Sequence, residues 1–428
     1  MPTPSASAPA DRGLVVSPFR GVRFAAERVR DLAAVTSPPY DVVDAESAAH
    51  LEELDPHNVV RLILPRDDAG NGSGRYRHAA DRLSSWLTDG TLRRDEQPAF
   101  YVYEQSTIGM LQRGLLAAVD LRDPEERVVL PHEDVMAGPV ADRLELMRAT
   151  AANLEPILLV YDGGGQAASV VDQVADGPPL VDATTEDGIR HRMWAIEDRD
   201  VQAQVAADLR PRQALIADGH HRYATYRRLQ AENRTAGRGA GPWDRGLAML
   251  VDSRTYPLHV QAIHRVVEGL DLDQAVALAA RAFRTAPVVG GFERAQAALE
   301  SAPGTHPYLV GNGRQFHLLS DPDPDQVAAA LPGDHSALWQ GLDASVLHAL
   351  LLERLWDVPD GSPRTRYVHD ADGAVRAAER SAGTAVLLRP VGVSQVLTVA
   401  ASGERMPRKS TSFGPKPRTG LVLRLFED

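Results

Sequence analysis

A short apolar run, Ala214-Leu215-Ile216, meets Asp218-Gly219-His220-His221-Arg222, and Tyr223 to Glu232 continues in good helix formers with Tyr223, Tyr226 and Leu229 spaced along one face. That order of signals dictates strand, tight turn, helix. Strands and helices that follow each other this closely place the chain in the α/β to α+β range, with mixed sheets and flanking helices. The first turn of this helix carries two imidazoles and a guanidinium beside N–H groups that a helix cannot pair internally. Such an end suits an anion, and phosphate is the anion expected.

At 428 residues the chain exceeds what one hydrophobic core organises. Residues 1–13, rich in Pro, Ser and Ala, read as a disordered tail without the basic start and apolar run of a signal peptide. Residues 14–300 read as an α/β ligand-binding or catalytic region and 301–428 as an α+β region whose basic loop completes the site.

Charge narrows the function classes. A net charge of -12 argues against a surface that blankets a nucleic-acid backbone, so phosphate binding is expected at a site and no nucleic-acid partner is expected. There is no cysteine, which removes disulfides, thiolate metal sites and thiol nucleophiles. The longest apolar stretch, Thr384 to Ala400, is interrupted by Arg389, Pro390 and Gln395, so no membrane span is expected and the protein reads as cytoplasmic.

Along the chain, Pro38-Pro39-Tyr40-Asp41 is a stiff extended loop, either a rigid turn or a wall of the ligand pocket. Asn58 to Pro65 reads as a buried strand, Asp67 to Gly74 as a loop and Arg75 to Leu92 as a helix. Ala99 to Glu104 and Gly114 to Asp120 read as antiparallel neighbours. Arg127 to Leu130 reads as a strand ending on Pro131-His132-Glu133-Asp134, and Asp142 as the cap or first-turn charge of a helix reaching Asn153. Pro156 to Tyr161 and His191 to Ile196 are expected strands, and Asp271 an N-cap. His306 to Val310 and Gln315 to Leu319 read as a hairpin around Gly311-Asn312-Gly313, Leu342 to Leu355 as a helix, and Thr384 to Leu388 and Val396 to Ala400 as strands.

The segment Met406 to Gly420 holds four cations and four hydroxyls in fifteen residues, stiffened by three prolines. It reads as a fixed basic loop, either a solvated turn or the second half of the anion site. Asp218 has three open roles: helix cap, Mg²⁺ ligand, or base. His132-Glu133 lacks the second histidine of a zincin helix, and no P-loop, nucleophile elbow or protein-kinase catalytic loop is present.

Taken together, Pro38-Pro39-Tyr40-Asp41-Val42, His132-Glu133, Asp142-Arg143, Asp218 to Tyr223, His264-Arg265-Val266-Val267 and the Met406 to Lys416 pattern resemble the family of unknown function numbered one thousand and fifteen. The strand, Asp-Gly-His-His-Arg turn and helix also resemble the phosphate-binding element of the ParB/sulfiredoxin superfamily, which includes partition proteins, sulfiredoxins and free-serine kinases. Sulfiredoxin's cysteine is missing here, as are a helix-turn-helix and a basic surface for partition-type DNA binding. The resemblance then implies a kinase that uses ATP or ADP with Mg²⁺ to phosphorylate a small-molecule hydroxyl such as that of free L-serine. Gly219, His220, His221, Arg222, Lys409, Ser410, Thr411 and Lys416 would hold the nucleotide, Glu133, Asp218 and His221 would carry the chemistry, and Asp218 and Glu133 would hold the metal. A non-catalytic nucleotide or phosphometabolite sensor and a phosphoester hydrolase remain alternatives.

Overall fold

The computed structural model describes residues 13–66 and 74–426, so the expected tail falls almost wholly outside the described residues. The expected loop from Asp67 also lies outside them, except for Gly74, which opens the helix Gly74–Thr88. The chain divides into two units. The first comprises residues 1–258 and 415–428 and the second 259–414, so the boundary expected near residue 300 lies inside the second unit.

A hairpin lies within the sheet of the first unit. Phe100–Thr107 and Met110–Asp120 pair antiparallel from Tyr101↔Leu116 to Thr107↔Met110, leaving a two-residue loop in which Gly109 takes φ 79°. Around it grows a mixed nine-stranded sheet. Its order is Val129–Leu130, Ala214–Asp218, Ile157–Tyr161, Arg245–Asp252, Met110–Asp120, Phe100–Thr107, Arg190–Ile196 and Val181–Thr184, with Val16–Ser17 also on Met110–Asp120. Ala214–Asp218 runs parallel to Val129–Leu130 and antiparallel to Ile157–Tyr161. Those two parallel strands therefore end on the same edge, which brings the His132-Glu133 and Asp218-Gly219 turns side by side.

The helix His220–Thr235 packs on this sheet through Tyr223, Tyr226 and Leu229, which join Ile157, Leu159 and Ile216 in the main core. Burying each such side chain contributes about 1.5–3 kcal/mol, so the helix is held by its apolar face more than by propensity.

The second unit has a six-stranded antiparallel sheet in the order Arg284–Val288, Phe316–Ser320, Tyr308–Gly311, Thr384–Leu387, His264–Val267 and Thr365–Val368. Leu272–Ala279 is capped as expected by Asp271, whose carboxylate accepts from Gln274 N at 3.1 Å. Asp343–Val346 continues as a π-helix over Leu347–Leu355.

Three local expectations are corrected. Asn58 to Pro65 is not a strand: Val60–Ile63 is a helical turn, because the Asn58 side chain donates to Ala34 O and Thr36 O and accepts from Val60 N at 2.9 Å, folding the backbone back on itself. Val396 to Ala400 belongs to the helix Val393–Ala401, whose buried positions Val396, Val399 and Ala400 have i, i+3, i+4 spacing. The helix carrying Asp142 runs from Ala137 to Thr150, with Pro139 in its first turn, where a missing N–H costs nothing. Asp142 therefore sits beyond the first turn and is no cap.

Candidate functional site

Gly219 makes the turn at the strand end. Its φ of 94° is open to glycine, and an added Cβ would meet Ile157 Cγ2 at 2.8 Å. This lets the chain pass from Asp218 straight into the helix, whose N-terminus has no side-chain cap.

Asp218 is 9% exposed and pairs with two cations: Oδ2 accepts from Arg222 Nη2 at 2.5 Å, one helical turn on, and Oδ1 lies 2.6 Å from Lys416 Nζ. Lys416 Nζ also donates to Asp41 Oδ2 at 3.2 Å. Lys416 thus bridges the Pro-Pro-Tyr-Asp loop and the Asp-Gly-His-His-Arg turn. Burial works against its ammonium, but Asp218 and Asp41 hold its pKa above the usual lysine value. Burial likewise pushes the Asp41 carboxyl up, and Arg222 and Lys416 overcome this to hold it below the ordinary range.

Arg222 is 3% exposed. It donates from Nη1 to Pro156 O at 2.5 Å, while its Nε has no acceptor among the described residues. Desolvation would lower its pKa, yet Asp218, Glu155 and Asp41 raise it. Glu155, fully enclosed, shows the opposite balance: burial raises its pKa, only partly offset by Arg222 and Arg143. Its Oε1 accepts from Tyr40 N at 2.9 Å, and the Tyr40 ring lies 4.3 Å from the Arg143 guanidinium. Arg143 in turn donates to Asp142 Oδ2 and to Ile63 O.

The histidines form a second layer on the same edge. His220 Nε2 accepts from His132 N at 3.2 Å, which places the proton of a neutral ring on Nδ1, 3.8 Å from Glu133 Oε2. The His132 and His220 rings meet edge to face at 4.5 Å. His221, partly exposed, accepts from Met136 N at 3.0 Å through Nε2. The adjacent imidazoles point apart, as helix geometry demands.

The first unit therefore gathers Glu133, Asp218, Gly219, His220, His221, Arg222 and Lys416. Lys409, Ser410 and Thr411 belong to the second unit. Sequence reasoning marked Arg143 only through the Asp142-Arg143 motif and did not name Glu155, whose one signal was an acid standing directly before an apolar strand. Tyr40 and Asp41, read as either turn or pocket wall, join the cluster. For a metal, both Asp218 oxygens already face cations, and among the described residues no group of three His, Asp or Glu side chains is arranged to hold an ion.

Among the described residues no helix is long and apolar enough to cross a membrane. No curated protein matches the chain. Among solved structures it is similar to a free serine kinase in complex with ADP, at 12% identity over 70% of this chain and 87% of that one, with a TM-score of 0.36. It is also similar to SbnI with a C-terminal truncation from Staphylococcus aureus, at 13% identity over 72% and 87%, TM-score 0.36. A conserved hypothetical protein from Pyrococcus furiosus aligns at 13% identity over 73% and 95%, TM-score 0.35. A family profile described as "Protein of unknown function (DUF1015)" matches residues 16–345, a span that takes in the Tyr40-Asp41 loop, His132-Glu133, the Asp218 to Arg222 turn and His264-Arg265, and stops short of Met406 to Lys416. On that match, the chain belongs to the DUF1015 family.

Proposed function

We propose that the protein is a nucleotide-dependent kinase that transfers a phosphoryl group from ATP or ADP to the hydroxyl of a small molecule such as free L-serine. The observation that carries this reading is the convergence of Lys416 and Arg222 with Asp218 and Asp41 at an uncapped helix N-terminus, beside the His220–Glu133 pair. Phosphoryl transfer asks a protein mainly for positioning and charge, and this edge supplies both.

In this reading the backbone N–H groups at the start of the helix hold phosphate oxygens, and the buried Arg222 guanidinium lends its charge from beneath, with the strand–turn–helix acting as a ParB/sulfiredoxin-like cradle. Lys416, drawn between two carboxylates, stands ready to offset charge on the transferring group. Glu133 accepts the proton of the acceptor hydroxyl as its oxygen bonds to phosphorus and the bond to the leaving nucleotide breaks. His220 turns Nδ1 towards Glu133, 3.8 Å from Oε2, so that its ring lies beside the carboxylate as it takes the proton. Mg²⁺ bound to the nucleotide would neutralise part of the phosphate charge, held chiefly by phosphate and water oxygens.

Calorimetric titration with ATP and ADP, with and without Mg²⁺, tests the reading, followed by product analysis with L-serine and related alcohols. Dissociation constants below about 1 mM and a phosphorylated product are expected. Absence of binding up to that concentration overturns it. The double ion pair on Asp218 favours one second reading, a sensor that binds a nucleotide or phosphometabolite without turnover, because it withdraws one of the two candidate carboxylates from proton transfer and metal binding. Tight binding with no product from any acceptor would select it.

A further inference from the structure

The second unit contains a cavity of about 510 Å³, within the range that encloses small organic ligands. Its apolar side is made by Ala262, Ile263, Leu388 and Met406, all buried. Its polar lining is uneven in a way that identifies the missing partner. Each acceptor side chain on the lining has one oxygen engaged: Asp343 Oδ1 lies 2.9 Å from His306 Nδ1, Glu300 Oε1 accepts from Gln296 at 3.4 Å, and Gln395 Oε1 accepts from Gly392 N at 3.1 Å.

Two donors are not engaged. Ser410 lines the cavity at 8% exposure, and its hydroxyl is buried with no hydrogen-bond partner. Arg389, half-buried on the same wall, makes no hydrogen bond or ion pair among the described residues. A buried hydroxyl without a partner is unfavourable, and a guanidinium beside it is suited to paired oxygens. These two donors call for an acceptor, and an oxyanion supplies one to both.

We infer that this cavity is a binding site for a small organic acid, a compact apolar body carrying one carboxylate or phosphate, with Arg389 and Ser410 meeting the oxyanion and Ala262, Ile263, Leu388 and Met406 meeting the body. Arg265 positions the walls. It is 0% exposed and donates from Nη1 to Ile263 O and from Nη2 to Arg408 O at 3.2 Å, tying together the two chain segments that supply Ile263 and Ser410. This gives the His264-Arg265 motif a role apart from phosphoryl transfer, and the inference stands independently of the kinase reading.

The test uses three probes with one body and different heads, benzoate, phenyl phosphate and benzyl alcohol, titrated calorimetrically into the full-length protein. At least one of the two anions is expected to bind about tenfold or more tightly than the alcohol, and whichever is tighter names the headgroup. Arg389→Gln, on a half-buried residue outside the core, should remove that preference while leaving the unfolding midpoint unchanged; Ser410→Ala should weaken the same anion. Asp218→Asn, in the first unit, should leave probe binding intact. Equal affinity for all three probes, no binding by any, or an anion preference that survives Arg389→Gln would overturn the assignment.

Discussion

Lys416 Nζ stands 2.6 Å from Asp218 Oδ1 and 3.2 Å from Asp41 Oδ2, so a single ammonium joins carboxylates from the N-terminal loop and the mid-chain turn. Replacing it with Met leaves two carboxylates facing each other with only Arg222 nearby. Because the Lys416 side chain is 22% exposed, water relieves part of the loss, and a destabilisation of about 1–3 kcal/mol is expected in urea unfolding. Nucleotide affinity should fall at least tenfold in the same variant.

Gly219→Ala tests the turn. The substitution forces a side chain into the left-handed region and against Ile157, for a cost of about 1–3 kcal/mol in chemical denaturation. If the variant is as stable as the wild type, the turn does not have the conformation described.

Glu133→Gln separates catalysis from folding. The side chain is one-third exposed, so stability should change by less than about 0.5 kcal/mol. On the kinase reading, turnover falls by about 10²–10⁴ with nucleotide affinity nearly unchanged. Steady-state kinetics alongside calorimetry reads both; a turnover within threefold of wild type would remove Glu133 as the proton acceptor.

Acid should destabilise the protein above the carboxylate range. Burial pushes His191, His264 and His348 down from the ordinary 6.5 to about 4, with Arg418 beside the first and Arg265 beside the other two adding to the effect. A base whose folded-state pKa is depressed contributes stability that is fully present above its unfolded value. That stability drains away as pH falls from about 6.5 towards 4, on the order of 3 kcal/mol for each histidine. Unfolding free energies measured in steps between pH 7 and 4 should fall steadily, and less steeply in His191→Gln.

Glu155 should act in the opposite sense. Burial raises its pKa, so its contribution is fully present below the ordinary glutamate value and is lost as pH rises through the folded-state value. Relative to wild type, Glu155→Gln should therefore gain stability with rising pH above about 4.5. A constant difference across pH would mean that the carboxyl does not titrate differently in the fold.

Local signals determined a good deal. The strand and helix around Gly219, the Phe100 to Asp120 hairpin and the Asp271 cap each depend on residues a few positions apart, where backbone preference and side-chain period act directly. The pairing of His132-Glu133 with the Asp218 edge was readable as far as each turn ended a strand. Short apolar runs were not decided by sequence: at Asn58 to Pro65 and Val396 to Ala400 a handful of residues fits either period, and side-chain hydrogen bonds by Asn58 in one case and the face being buried in the other made both helical. Tertiary structure alone decided the composition of the cluster. It placed Lys416 with the first unit and Lys409 to Thr411 with the second, and it enclosed Glu155 and Arg143 beside Arg222. Charge pairing across hundreds of residues leaves no mark at any local spacing, because the partners are selected by which strand ends share an edge and by the cost of burying a charge without its counterion.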